Sequence, residues 1–212
     1  SQLGITRFID NEFIRFSKAD CERSIPRVDG LKPCQRKIIW SFLKRNQRTE
    51  KRVATLASLV SADTAYHHGE KSLCDAIVGL AAKYPGGNNL PLLQGVGQFG
   101  SRYMGGKDAA EARYISAHLP TYIDDLYNKD DIEMAVPQID EGREIEPAFL
   151  LATLPIILIN GAVGIGTGWS TFIPKHKAKD ILKTYLHKLK TGQWLPIKPS
   201  YDGHRGSIVE SS

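Results

Sequence analysis

Long apolar runs are missing from this 212-residue chain: the longest candidate, Leu154 to Ile159, covers six residues, against roughly 20 for a membrane-spanning helix. That length excludes a helical span, so no membrane partner is expected, and the amino end carries no secretory signal pattern. Cysteine is scarce too. Cys21, Cys34 and Cys74 are odd in number, widely spaced and without a CxxC pair, which leaves no zinc-ribbon or redox motif and points to a reducing, intracellular compartment. Internal repeats and low-complexity segments are absent. The chain opens at Ser1 and stops among polar residues at Ser212, so it reads as a piece of something longer.

What is present is an ordinary globular composition. With 42% hydrophobic and 24% charged residues, the chain can build a core as one large or two small domains. Its charge is unevenly placed. Through Tyr114 there are 18 Lys and Arg against 11 Asp and Glu, a net +7, and beyond it 10 against 12, a net −2. A polyanionic partner therefore belongs to the first half. The density peaks where Lys32, Arg36, Lys37, Lys44, Arg45, Arg48, Lys51 and Arg52 face only Glu50. A solvated surface helix explains such a run as well as a nucleic-acid surface does.

Apolar spacing predicts a first helix through Ile9, Phe13 and Phe16, ending before Ser24-Ile25-Pro26. A second begins at Pro33 with Ile38, Ile39, Phe42 and Leu43 on its apolar face. A third carries Val53, Leu56, Ala57 and Val60, and a fourth Leu73, Ile77, Leu80 and Ala81. Polar Ser61 to Thr64 reads as the turn between them, the pattern of a helix-turn-helix whose second helix presents Tyr66, His67 and His68 at its amino end. The glycine-rich stretch from Pro85 to Gly106 reads as loops and short strands, the wing of a winged helix. From about Leu119 a second unit follows, with a buried strand at Leu154 to Ile159 and a helix carrying Ile181, Leu182, Tyr185 and Leu189.

Several familiar chemistries fail on inspection. The glycines at 161, 164, 166 and 168 lack the Gly-Lys-Ser/Thr ending of a phosphate-binding loop, and Trp169 stands where a dinucleotide fingerprint needs glycine or alanine. His67-His68-Gly69-Glu70 is neither HExxH nor an HxE followed by PCxxC, so no metal site is expected. Tyr114 is more promising. A tyrosine with a pKa near 10 needs adjacent positive charge to attack a phosphodiester, and Arg113 supplies it. Arg102-Tyr103 is an equivalent pair in the same glycine-rich region, and local chemistry alone does not choose between them.

Longer patterns do choose. Arg23-Ser24-Ile25-Pro26, Asp29-Gly30-Leu31-Lys32-Pro33, Gln35-Arg36-Lys37, Tyr66-His67-His68-Gly69-Glu70, Gly105-Gly106-Lys107-Asp108, Arg113-Tyr114 and Ile159-Asn160-Gly161-Ala162 through Gly164-Ile165-Gly166-Thr167-Gly168-Trp169 resemble the eukaryotic-type DNA topoisomerases II, in that family's order and over nearly the whole chain. The resemblance implies an α+β fold, a winged-helix DNA-binding and cleavage domain over residues 1–118 followed by part of an α/β tower domain over 119–212. It selects Tyr114 as the nucleophile that takes the 5′ end of a cleaved strand, with Arg113, Arg36 and His68 completing the catalytic group. Lys32, Lys37, Arg45, His67 and Lys107 fall on its DNA surface, and Ile165 sits where the family wedges an isoleucine between base pairs.

The same resemblance implies two partners, double-stranded DNA and a second copy of the full-length protein in a homodimer. Mg²⁺ and ATP are expected in the full-length enzyme, bound by domains outside this chain. Cys34, where the family usually has glycine, and Tyr84-Pro85-Gly86-Gly87 depart from its pattern and suggest a diverged member, from a large DNA virus. Localisation follows that choice: the nucleus for a cellular member, the host cytoplasm for a viral one. A non-catalytic winged-helix DNA-binding protein is the competing reading. It accounts for the charge but gives no reason for Arg113-Tyr114 or the Ile165 loop.

Overall fold

The computed structural model describes residues 4–209. Its amino-terminal helix is continuous, α-helical over α1 (Ile5–Phe8), π-helical over Ile9–Phe13 and α-helical again over α2 (Ile14–Ser24). Ile25, held extended by the following Pro26, ends it. The stripe expected to be buried is not: Ile9, Phe13 and Phe16 are all exposed.

Helix α3 (Pro33–Lys44) starts as expected, with Pro33 in a first-turn position that needs no donor and the Gln35 side chain accepting from the Lys32 N–H at 3.0 Å. Its Ile38, Ile39 and Phe42 pack with Leu56 and Val60 of α4 (Val53–Thr64) and Leu73, Ile77 and Leu80 of α5 (Glu70–Ala81). The turn between α4 and α5 lies later than the polar residues suggest. Thr64 bonds back to the Val60 carbonyl at 2.7 Å, and Asp63 is engaged by Ser41 and Arg45, so Ser61–Thr64 stay helical. Ala65, at φ 46°, breaks the helix, and Ala65 to Gly69 form the turn. Tyr66, His67 and His68 therefore sit in the turn and not on the second helix.

Strands β1 (Lys51–Arg52), β2 (Gln94–Val96) and β3 (Ser116–His118) form an antiparallel sheet in the order β1-β3-β2, with Ser116 opposite both Arg52 and Val96. The glycine-rich stretch loops out between β2 and β3, and Tyr114 lies just before β3. Two short helices follow, α6 (Ile123–Leu126) and α7 (Lys129–Met134), then the hairpin of β4 (Pro137–Asp140) and β5 (Arg143–Pro147).

Residues Ile156–Asn160 form a short helix, α8, where a strand was expected. An apolar run this short fits either state. Burial of Ile156 and Ile159, three apart, follows the helical period, and Pro155 before it and Gly161 at φ +66° after it bound the segment. A second hairpin, β6 (Ala162–Gly166) with β7 (Trp169–Ile173), precedes α9 (Ala178–Thr191). Of the apolar stripe expected on α9, Ile181 is buried while Leu182, Tyr185 and Leu189 face outward. The fold is thus mixed, helices with three small antiparallel sheets, and one core joins Leu31, Ile38 and Ile77 to Leu150, Ile156 and Ile159 across Leu119.

Candidate nucleophile and nucleic-acid interface

The two Arg-Tyr pairs occupy different environments. Tyr114 lies in a tight turn, its N–H donating to the Glu111 carbonyl at 2.8 Å. The Arg113 guanidinium lies 5.0 Å from the centre of its ring, and the side chain is 63% exposed. A cation there favours any negative charge that develops on or near the phenol. Arg102 instead turns back to the Pro85 carbonyl, at 3.5 Å, and Tyr103 is 93% exposed. A third tyrosine nearby is chemically unsuited: burial, with the Cys34 thiol beside it, pushes Tyr66 up to about 12.

Arg113 also borders a groove between α5 and the glycine-rich loop, shared with Lys107, Lys71, Glu70 and Asp75. On the other side of the 65–69 turn lies a cleft lined by Lys32, Lys37, His67, His68 and Arg23. Arg23 belongs to the Arg-Ser-Ile-Pro pattern, which gives it no chemical role of its own. Its place in the cleft comes from the end of α2, a contact no local spacing reveals. His67 lies 3.1 Å from Asp140 of β4, which leaves His68 as the histidine without such a partner among the described residues.

Most of the basic run is neutralised internally. Arg36, expected beside the scissile phosphate, is only 2% exposed. Its guanidinium is bidentate on Asp29 at 2.6 and 2.9 Å and also donates to the Leu31 carbonyl. All three contacts lie inside the protein, so Arg36 supports the site without reaching its surface. Lys37, expected on the DNA backbone, donates to Glu146 of β5 at 3.0 Å and to the Thr64 carbonyl at 2.7 Å. Burial raises Glu146, and Lys37 partly counters it. Arg45, though exposed, is bidentate on Asp63 at 2.5 and 2.6 Å. Burial alone would raise Asp63, but hydrogen bonds from Arg45 and Ser41 hold it below the usual carboxylate range. Arg48 reaches Asp124 at 2.6 Å. The partners come from positions 29, 63, 124 and 146, which is why the run looked unopposed in sequence.

Lys32 has no carboxylate within ion-pair distance among the described residues, and Lys44 stacks over Trp40 at 4.5 Å. A measurable consequence follows for duplex DNA binding. Each phosphate neutralised adds a slope of about −0.9 to log K against log salt. Lys32→Gln should flatten that slope by about one contact, whereas Arg45→Gln should leave it nearly unchanged. Equal flattening by both would show that the Arg45–Asp63 pair opens on DNA.

The β6–β7 hairpin lays one face on α2. A Cβ at Gly164 would stand 2.6 Å from the Ser24 carbonyl oxygen, and one at Gly166 2.9 Å from the Cys21 sulfur, so glycine permits the approach. Thr167 at the tip donates through both N–H and hydroxyl to Asp20 at 2.9 Å, and these bonds lower Asp20. With the even positions against α2, strand alternation turns Val163 and Ile165 outward. Ile165 is 79% exposed, with Phe172 exposed opposite Val163. A buried role for Ile165 beneath a tight loop is therefore excluded.

Comparison with known proteins identifies the family. The family model for DNA gyrase/topoisomerase IV matches residues 23–212. A DNA topoisomerase 2 of Arabidopsis thaliana is 46% identical over 206 residues, 97% of this chain, and a probable DNA topoisomerase 2 of Dictyostelium discoideum is 44% identical over 208 residues, 98% of it. The chain spans 14% of the length of either relative. In three dimensions it superposes, with a TM-score of 0.91 and 41% identity over 98% of its length, on 28% of a chain in the crystal structure of the Plasmodium falciparum topoisomerase II DNA-binding, cleavage and re-ligation domain. The chain belongs to the DNA gyrase/topoisomerase IV family and is a core segment of a type IIA DNA topoisomerase.

Proposed function

We propose that this chain is the DNA-binding and cleavage–religation core of an ATP-dependent type II topoisomerase, with Tyr114 as the nucleophile. The observation that carries the reading is the exposed Tyr114 phenol beneath the Arg113 guanidinium, in a turn pinned to the start of α4. In the proposed step the phenol oxygen bonds to phosphorus, the phosphorus–O3′ bond breaks, and the proton from the phenol is balanced by one taken up at the 3′ oxygen. The products are a 5′-phosphotyrosyl link and a free 3′ hydroxyl. Religation reverses the step. Arg113 stabilises charge on the phosphorus centre, and His68, exposed in the cleft, donates to a phosphate oxygen or relays the proton.

In this reading residues 1–118, with helices α3 to α5 and the β1-β3-β2 sheet, form a winged-helix domain, and residues 119–212 open the tower domain. Double-stranded DNA runs over Lys32, His67, His68 and Lys107, and two copies cut opposite strands so that a second duplex can pass. Mg²⁺ and ATP are assigned to other parts of the full-length protein. Among the described residues no group of three or more His, Cys, Asp or Glu side chains would hold a metal, so the described residues do not fit the ion. Trapping the covalent protein–DNA adduct with full-length protein and Mg²⁺, then mapping the linked tyrosine, tests the proposal. A link anywhere but Tyr114 refutes it.

Ile165 provides a second measurement. As a wedge it separates two base pairs and holds the duplex bent, at an unstacking cost of a few kcal/mol offset by the wider surface then bound. Because the side chain is exposed, Ile165→Ala should change folding stability by only about 0.5 kcal/mol. It should reduce the bend seen by fluorescence transfer across a labelled duplex. It should also slow cleavage, by on the order of a hundredfold if the scissile phosphate shifts by about 1 Å. A fully bent duplex on the mutant would eliminate the wedge.

A further inference from the structure

Three consecutive residues at the start of α4 grip the nucleophile segment. The N–H groups of Val53 and Ala54 donate to the carbonyls of Ile115 at 3.0 Å and Ala112 at 3.3 Å. First-turn N–H groups have no acceptor within their own helix, so α4 takes two of its acceptors from the chain around Tyr114. The remaining grip comes from a side chain: the Arg52 guanidinium donates to the carbonyl oxygen of Tyr114 itself, at 2.6 Å. That bond is charge-assisted, and among the described residues it is the only hydrogen bond to this carbonyl.

We propose that Arg52 is a positioning residue for Tyr114, fixing the peptide that follows the nucleophile and with it the direction of the phenol. The proposal rests on Tyr114 being the nucleophile. The Tyr114 ring is largely exposed and borders only Arg113 among charged groups, so no side-chain packing on its far side sets its course. Its direction is inherited from the backbone at 114. Anchors at 112 and 115 leave the intervening 114–115 peptide free to tilt, and the Arg52 bond removes that freedom. Neither sequence neighbourhood nor motif reveals the role, since Arg52 stands 62 positions before Tyr114 in a run that reads as DNA surface.

The test compares Arg52→Met, Arg52→Lys and Arg52→Gln in the full-length enzyme. Single-turnover adduct formation is measured at saturating duplex, with DNA affinity at several salt concentrations and melting temperature alongside. Arg52→Met should form the Tyr114 adduct about tenfold to a hundredfold more slowly. Affinity, salt slope and melting temperature should stay at wild-type values, and Arg52→Lys, which keeps a charged donor, should recover most of the rate. An unchanged rate in Arg52→Met overturns the proposal. So does a slower rate matched by weaker affinity and a flatter salt slope, since Arg52 would then be a phosphate contact. If Arg52→Met fails to fold, Lys cleaving faster than Gln supports the proposal and equal rates overturn it. A wild-type enzyme that forms no adduct at Tyr114 would instead refute the reading of Tyr114, a different result from normal wild-type cleavage with an indifferent Arg52.

Discussion

Tyr114→Phe in the full-length protein is expected to abolish both the covalent DNA adduct and strand passage, while duplex binding and folding stay almost unchanged. The substitution removes one oxygen. Among the described residues no hydrogen bond is made to that hydroxyl, and the ring that Arg113 covers at 5.0 Å is retained, so neither the turn nor the charge beside it should change. What disappears is the attacking atom, and enzymatic accelerations are typically about 10⁶-fold or more, which makes the residual rate unmeasurable. Tyr103→Phe supplies the control. Its side chain stands free of the α4 anchors and its neighbour Arg102 is turned to Pro85, so that mutant should relax DNA normally. Adduct formation surviving in Tyr114→Phe but lost in Tyr103→Phe would move the nucleophile by eleven residues.

Arg36→Met separates the sequence expectation from the structural one by a large margin. If Arg36 touched the scissile phosphate, the mutant would fold normally and lose cleavage. The structure instead buries the guanidinium against Asp29, whose carboxylate also accepts from the N–H groups of Leu31 at 3.1 Å and Leu150 at 3.1 Å. Removing one partner of a buried pair leaves the other charge uncompensated, at a cost of about 3–5 kcal/mol. The two retained N–H donors should place the loss near the lower end of that range. Urea unfolding should therefore show a clear drop in midpoint, and the damage should reach the Leu150 segment as well as α3, because Asp29 ties the two together. A mutant of wild-type stability that binds DNA but does not cleave it would return Arg36 to the phosphate.

Both results bear on what a sequence can show. Local rules recovered α3, α4, α5 and α9, since helical spacing of apolar residues and Pro33 at a helix start act over a few residues. They misplaced the α4–α5 turn because Ser61, Asp63 and Thr64 look like turn residues until Arg45, Ser41 and the Val60 carbonyl engage them. They misread α8, since a short apolar run carries no period of its own until its neighbours choose which side chains to bury.

The sequence by itself determined the family, the positive first half, the Arg113-Tyr114 pair and the isoleucine among glycines, because these reside in residue identities and order. Only the tertiary structure decided which charges remain available to a ligand. Ion pairing depends on distances of a few ångströms, and the fold brings Asp29, Asp63, Asp124 and Glu146 within that range of Arg36, Arg45, Arg48 and Lys37. It also decided that Ile165 faces outward, because Gly164 and Gly166 must face the α2 backbone. And it set Arg52 on the Tyr114 carbonyl, a contact made when β1 pairs with β3, which no reading along the chain contains.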